Sequence, residues 1–323
     1  YIGEIHTIAY RDIPLCFSRP PVTASLAAVL RSRLDSEVEA MKRFKVATMD
    51  PDEFYAQRLD IVDVCTPNRL HREHVQRALE SGLAVYCEKP LASTLEDARA
   101  MASLAAKTGA LTQVAFVLRY LPAIRQMKTI IQAGKIGEVF HFRARLFHGS
   151  YLDVNRPMSW RLRWPLSGGG AFMDLGAHLV DLTRYLLGEV VTVRALTRTF
   201  ICERCTVRGG KDREKVDVDD WTHCTLNMKS GAVGVLEATR MAAGARDDTD
   251  FSIYGSNGSL HYRASDPYFV RWHDLKRGRW VHGNLDMPPI PGARSISQVW
   301  PSGKYSHGAF TDAHLAAAYD FLL

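Results

Sequence analysis

The chain contains no run of about eighteen apolar residues, so no segment reads as a membrane span. It also lacks a basic stripe. The net charge is +6, but Lys and Arg are scattered among Asp and Glu, and no DNA- or RNA-binding motif accompanies them. Nucleic acid is therefore not expected as a partner, and a phosphate-bearing small ligand accounts for the excess equally well. Cysteine is sparse: six in 323 residues, with Cys65 and Cys87 closing apolar strand-like runs. That usage reads as buried, reduced thiols in a cytoplasmic protein. Cys202 and Cys205 form a lone C-x-x-C with no second pair at a suitable spacing, and a zinc site needs four ligands, so no metal is expected. No internal repeat or low-complexity tract is present. The chain starts at Tyr1 rather than Met and stops inside a helical pattern, so further residues are expected beyond both ends.

The balance of 46% hydrophobic and 24% charged residues is that of a globular protein, and the length suits two domains. The first third alternates strand and helix. SLAAVL (25–30), DIVDVCTPN (60–68), LAVYCEKP (83–90) and LTQVAF (111–116) read as short apolar strands. Between them REHVQRALESG forms a helix stopped by Gly82, and TLEDARAMASLAAKTG a helix capped by Ser93 with Glu96 completing a capping box. Such alternation predicts a doubly wound parallel sheet that binds ligands at the carboxyl ends of its strands. The pattern changes near Arg119. After a helix over 122–133, FHFRARLF places Phe140, Phe142, Ala144 and Leu146 on one face and His141, Arg143 and Arg145 on the other. More strands follow, with Ser256-Asn257-Gly258 as a hairpin turn. The fold class is thus α/β, with a second α+β domain built on a large, open, mostly antiparallel sheet. The expected divisions are 1–118, 119–305 and, from 306 to 323, the start of a helix returning to the first domain.

Two strand ends carry rigid motifs, Thr66-Pro67-Asn68 and Glu88-Lys89-Pro90, which set Lys89 on a stiff arm at the ligand-binding edge. In GGGAFMDLGAHLVDL (168–182) three glycines run into a helical pattern. Asp174 and His178 are four residues apart, hence on one helix face, where a carboxylate bonded to an imidazole makes a general base. The glycines suit close approach of a ligand to the backbone.

In that order, GEIHTIAYR, DVCTPNRLHREHV, CEKPLA, LRYLPAI, SWRLRWPLSGGGAFMDLGAHLVDLTRYLLG and GAVGVLEATR resemble the Gfo/Idh/MocA family of sugar and cyclitol dehydrogenases over nearly the whole chain. The resemblance implies a Rossmann-type dinucleotide-binding domain. It makes Lys89, Asp174 and His178 catalytic and substrate-binding. Ile2, Gly3, Thr66, Pro67, Asn68, His71, Glu88, Lys89, Trp160 and Arg161 fall at cofactor-binding positions. Gly3 corresponds to the last glycine of G-x-G-x-x-G, whose first two glycines would precede Tyr1. Val117-Leu118-Arg119 stands where the family often has Asn-Tyr-Arg, removing one polar contact. Arg119, His148, Tyr151 and Asp153 are candidate substrate contacts, and FHGSYLDVNRPMSWR resembles members acting on anhydrosugars and glycosides.

An NAD enzyme wants an acid at the end of the second strand. Here Arg31-Ser32-Arg33 stands there, with no acid before Asp35. Two guanidiniums and a hydroxyl suit a 2′-phosphate, so NADP is favoured over NAD. The reaction implied is reversible hydride transfer between a nicotinamide and a secondary hydroxyl of a sugar, anhydrosugar, glycoside or cyclic polyol. The rival readings are a glycosidase that recycles its bound nicotinamide and a non-catalytic NADP-binding sensor. Retention of Lys89, Asp174 and His178 together speaks against the sensor. Relatives often pair sheet against sheet, which implies a homodimer or homotetramer through the second-domain sheet.

Overall fold

The structure is a computed structural model that describes residues 1–30, 50–283 and 290–323. Helix α1 (Ile2–Cys16) comes first, and a short helix α2 (Pro51–Tyr55) is capped by the Asp50 carboxylate. Three parallel strands then line up in sequence order: β1 (Ile61–Val64), β2 (Ala84–Cys87) and β3 (Thr112–Val114). Val62 pairs with Val85, and Val85 with Thr112. Two crossover helices connect them, α3 (His71–Glu80) and α4 (Leu95–Thr108). Val62, Val64, Val75, Leu79, Val85 and Met101 form the core between strands and helices. Gly82 ends the α3 segment at φ 74°, a conformation that favours glycine.

Two local readings need correction. Ser25–Leu30 forms no strand; only Leu30 makes an isolated bridge. Ser93 is not the cap of α4. Thr94 is, its side chain accepting the Asp97 N–H, so the cap and its acidic partner sit one residue later than the capping-box pattern suggests.

The second part opens with α5 (Pro122–Gln132), where Pro122 occupies the first turn, the one place a helix tolerates it. Strand β4 (Val139–Phe147) lies near the centre of an eight-stranded sheet. Short helices follow at α6 (Trp164–Ser167) and α7 (Ala177–Leu187), then β5 (Val190–Arg198) and a two-stranded ribbon, β6 (Glu203–Cys205) with β7 (Arg213–Lys215). The large sheet is completed by β8 (Trp221–Met228), β9 (Val233–Thr239), β10 (Asp248–Gly255), β11 (Gly258–Arg263), β12 (Asp266–Asp274) and β13 (Arg279–His282). Its order is β13-β12-β11-β10-β4-β9-β8-β5, antiparallel throughout except for the parallel pair β4 and β9. Helices α5 and α7 cover one face, burying Ile124, Met127, Leu179 and Leu182 against Phe142, Ala144 and Leu146.

The period-two face of β4 holds from Phe142 onward. Phe140 leaves it and is 54% exposed, because pairing with β10 shifts between Tyr254 and Gly255 and the bulge turns Phe140 out of register. Gly255 pairs with Gly258 across the Ser256-Asn257 turn. Helices α8 (Ile296–Val299) and α9 (Ala309–Leu322) follow. Helix α9 packs on α1, with Ala9, Cys16, Leu315 and Ala318 in one cluster and Phe17 stacked on Tyr319 at 4.2 Å. No described helix is long and apolar enough to cross a membrane.

Candidate active site

Lys89 lies two residues past β2, at its carboxyl end. Its Nζ donates to the Asp174 carboxylate (Oδ1, 3.0 Å) and to the Asp174 carbonyl oxygen (2.9 Å). The arm that carries it is braced from behind. The two ring nitrogens of buried His71 face the carbonyl oxygens of Thr66 (2.9 Å) and Pro90 (3.1 Å), joining the strand ends after β1 and β2. Buried Asn68 donates from Nδ2 to the Ser167 carbonyl oxygen at 2.7 Å, tying the same loop to the glycine-rich segment. Thr66 Oγ1 is buried beside them with no protein partner.

The glycines serve a purpose other than ligand approach. A Cβ on Gly168, at φ 77°, would lie 2.1 Å from the Ser93 carbonyl oxygen, and one on Gly170 would lie 1.9 Å from that of Asp219. The run is bare so that it can lie against the protein's own backbone. The Asp219 carboxylate accepts the N–H groups of Gly170 (2.8 Å) and Phe172 (2.9 Å) and the Thr222 hydroxyl (2.8 Å), which fixes the entry to the next helix.

That helix does not begin as an α-helix. Phe172–Gly176 form a π turn ahead of α7. Its wider i→i+5 winding breaks the face-to-face relation that four-residue spacing implies. Accordingly Asp174 and His178 do not form the hydrogen-bonded pair the spacing suggests. Asp174 gives its second oxygen, Oδ2, to Arg240 at 2.9 Å, and His178 Nδ1 is buried without a partner. Arg240 follows directly on β9 and is 1% exposed. Its guanidinium lies 4.7 Å from the Tyr151 ring centroid and reaches the Arg161 carbonyl oxygen at 3.5 Å.

These contacts set the charge states. Burial opposes ionisation of Asp174, but Lys89, Arg240 and Arg161 outweigh it and hold the carboxyl well below the usual carboxylate range. Burial, reinforced by the Lys89 charge, pushes His178 well below the ordinary imidazole value, so it is neutral at pH 7. The site thus pairs an anchored carboxylate with a neutral imidazole.

The other candidate residues divide. His148 and Arg161 are near enough to influence His178 and Asp174 respectively. Trp160 and Arg161 open a short 3-10 turn, with the Arg161 guanidinium 4.3 Å from the Trp160 ring centroid. His148 pairs with Asp247 at 2.7 Å. Arg119 is committed to Asp181 through both Nε (2.8 Å) and a terminal nitrogen. Tyr151 is buried beneath Arg240 and Arg156. Asp153 caps the Asn155 N–H and pairs with Arg208 at 3.2 Å. Ile2 and Gly3 sit at the start of α1, with the Cβ position of Gly3 3.5 Å from Cys65. Glu88 is buried and bonded to His6 and to the Lys89 N–H. Arg31, Ser32 and Arg33 lie outside the described residues.

Sequence reasoning missed Arg240 and Asp219. Arg240 ends the LEATR run, where alternation breaks and three successive residues, Ala238, Thr239 and Arg240, are all buried. A cation closing an apolar strand was the available signal. Nothing local marks Asp219 off from its neighbours Asp217 and Asp220.

A family model described as "Oxidoreductase family, NAD-binding Rossmann fold" matches residues 3–116, and one described as "GFO/IDH/MocA C-terminal domain" matches residues 124–261. The chain belongs to the Gfo/Idh/MocA oxidoreductase family. It is 34% identical, over 343 aligned residues, to a levoglucosan dehydrogenase of Pseudarthrobacter phenanthrenivorans, covering 99% of this chain and 86% of that protein. It is 30% identical to a D-glucoside 3-dehydrogenase of Escherichia coli, covering 71% and 66%. A solved levoglucosan dehydrogenase in complex with NADH and levoglucosan superposes with a TM-score of 0.89 at 30% identity, covering 99% of this chain and 86% of that one. The first part of the chain is therefore an NAD-binding Rossmann fold and the protein an oxidoreductase. The site fits a nicotinamide cofactor on its own geometry: three parallel strands present their carboxyl ends, with a partnerless buried hydroxyl at Thr66 and a cation at Lys89.

Proposed function

We propose that the protein oxidises a secondary hydroxyl of a sugar, with anhydrosugars and glycosides favoured, and reduces NADP in preference to NAD. The observation that carries the reaction is the meeting of Lys89 with Asp174 at 3.0 Å, with a neutral His178 in the following turn. An ammonium has three N–H donors. Asp174 takes two from Lys89, through Oδ1 and the carbonyl oxygen, which leaves one for a substrate hydroxyl. In this reading Lys89 supports the developing alkoxide and His178 takes the hydroxyl proton. Asp174 anchors Lys89 instead of orienting the imidazole. The nicotinamide, when bound, supplies the hydride acceptor, and Thr66, Asn68, Trp160 and Arg161 would hold it.

The test is absorbance at 340 nm with NADP or NAD against levoglucosan, glucosides, aldoses and inositols. A substrate-dependent rise supports the reading. No change with any sugar, neither a rise with oxidised cofactor nor a fall with reduced cofactor, from protein shown to bind the nicotinamide would refute it. The NADP preference rests on Arg31-Ser32-Arg33. Arg31→Ala and Arg33→Ala should each lower kcat/KM for NADP by roughly tenfold, about the loss of one charge-assisted hydrogen bond, and leave NAD unaffected. Equal losses with both cofactors would count against it.

We also assign the open face of the large sheet to a second copy of the chain. Stacked His141–Tyr254 and Trp221–His223 lie along it, and on the edge strand β5 Leu196, paired with His223, is 52% exposed. Light scattering on the purified protein decides: a monomer at micromolar concentration removes this assignment. The six free thiols, four of them buried, support a cytoplasmic setting.

A further inference from the structure

We propose that His6 is a positioning residue for Lys89: it bridges the carboxylate of Asp63 on β1 to the buried carboxylate of Glu88, just after the adjacent β2, and, through Glu88, fixes the backbone from which the lysine projects. The inference rests on the reading of Lys89 given above. Nothing in the reaction calls for a charged cluster behind the sheet edge, yet one is built there. His6, 4% exposed on α1, points Nδ1 at both oxygens of Asp63 (2.9 and 3.0 Å) and Nε2 at Glu88 Oε1 (3.1 Å). The other Glu88 oxygen, Oε2, accepts the Lys89 N–H at 3.0 Å. A chain of hydrogen bonds therefore runs from β1 through the imidazole to the first peptide of the Lys89-Pro90 turn.

The chemistry of the partners fixes the charge. An ionised carboxylate only accepts, so a ring facing one with each nitrogen must donate from both, and a ring that donates from both is an imidazolium. Burial works against that charge, but the Asp63 carboxylate more than offsets it, and His6 stays protonated well above the ordinary imidazole value. The Glu88 carboxyl is buried too, and His6 followed by Lys89 nevertheless keeps it ionised. The remaining groups facing the ring are neutral. The Cys65 thiol is pushed up to about 12, burial raises the Tyr86 and Tyr10 phenols, and burial drives His314 on α9 down to about 3. His314 lies 5.1 Å from His6 between ring centroids, so α9 closes the cluster from outside.

His6, Glu88 and His314 also present three potential metal-ligating atoms within 4.8 Å of one another. A metal on His6 Nε2 would take the lone pair that an imidazolium has given to a proton. The two readings are therefore exclusive and separable.

The first measurement is on the unaltered protein: the ring nitrogens of His6 in ¹⁵N-histidine-labelled chain, assigned by difference with His6→Gln. Both nitrogens protonated at pH 8 is the expected result. A neutral ring at pH 7, or one equivalent of zinc retained after purification, overturns the bridge. The second measurement is turnover. His6→Gln and Glu88→Gln should each lower kcat ~10- to 100-fold with little change in KM for the sugar, the scale of a displaced reacting group. The double variant should be no slower than the slower single one, because both act through one chain of bonds. Losses that multiply, or full speed in both single variants, refute the positioning role. Lys89→Met run alongside separates the two levels: full activity there fails the reading of the site, whereas an inactive Lys89→Met beside full-speed His6→Gln and Glu88→Gln fails only the present inference.

Discussion

Replacing Arg240 with methionine tests whether Asp174 is held as an anchored anion. The wild-type carboxylate has two cations, Lys89 on Oδ1 at 3.0 Å and Arg240 on Oδ2 at 2.9 Å. The arginine side chain is 2% exposed and that of Asp174 28%, so the pair is buried on its cationic side and half-buried on the other. Removing one partner from a buried pair costs about 3–5 kcal/mol, chiefly by leaving the other charge uncompensated. Here Lys89 remains and methionine fills the space beside Tyr151, which puts the loss near the lower end, about 3 kcal/mol. For a domain of this size that is a fall in Tm of roughly 6–12 °C. The same change removes one of the two largest influences holding the Asp174 carboxyl down, so that carboxyl protonates at higher pH. A carboxylate whose ionised form is stabilised adds stability above its unfolded value and loses it as pH falls through the folded one. Arg240→Met should thus lose its stability advantage at a higher pH than wild type, and the acid side of the kcat profile should move the same way. Thermal melts and a kcat profile carried from pH 7 down to the acid limit of the folded protein give both readings. An unchanged Tm together with an unchanged acid limb would refute the account.

Three further outcomes follow from the same geometry. His178→Ala should reduce kcat about a hundredfold or more while nicotinamide binding, read by fluorescence, stays close to wild type; unimpaired turnover would remove the base. Gly168→Ala combines positive φ with a 2.1 Å approach to Ser93 and should cost about 3 kcal/mol or more, whereas Gly231→Ala, at φ 92° with nothing within 4 Å, should cost about 1 kcal/mol; equal melting shifts would show that close approach is not why Gly168 is glycine. Neutral His178, half-buried with its Nδ1 enclosed, titrates below its unfolded value, so the unfolded chain takes the proton first and the native state is penalised as pH falls below about 6.5. His178→Asn should accordingly narrow the gap between Tm at pH 7.5 and Tm at pH 5, and an unaltered gap would mean the imidazole is not held neutral.

What the sequence disclosed was set by the range of the interaction behind each feature. The alternation in FHFRARLF is local and repeats every second residue, so the buried Phe142, Ala144 and Leu146 were legible; the bulge that expels Phe140 depends on β10, a separate stretch of chain, and was not. Lys89 and the Asp174–His178 segment were legible because each lies in a short motif with a residue type that chemistry demands. Their relation was not. A four-residue spacing means a shared face only in an α-helix, and the π turn at Phe172–Gly176 is entered through Gly170 and Phe172 N–H groups held by Asp219, 49 and 47 residues away. The glycine run invited a ligand because its real neighbours, Ser93 and Asp219, are distant in sequence. Arg240 was passed over for the same reason, since its partner Asp174 lies 66 residues away.

The same long-range contacts explain why this site is sensitive to its frame. The strand-end side and the glycine-rich side meet at three points: Lys89 with Asp174, Asn68 with the Ser167 carbonyl, and Gly168 against Ser93. Two of the three involve no reacting group. They set the separation at which the first can form, and a methyl group on Gly168 would push directly against it. A reacting lysine with one free donor tolerates little displacement, because an error of about 1 Å can cost a hundredfold in rate. Variants at Asn68 and Gly168 should therefore lower kcat more than their effect on global stability implies. Asn68→Ala removes one buried hydrogen bond, about 1–3 kcal/mol, while leaving Lys89, Asp174 and His178 untouched. If its kcat at saturating nicotinamide falls only in proportion to the fraction unfolded, the frame does not govern the chemistry; a loss of tenfold or more in fully folded, cofactor-saturated protein shows that it does.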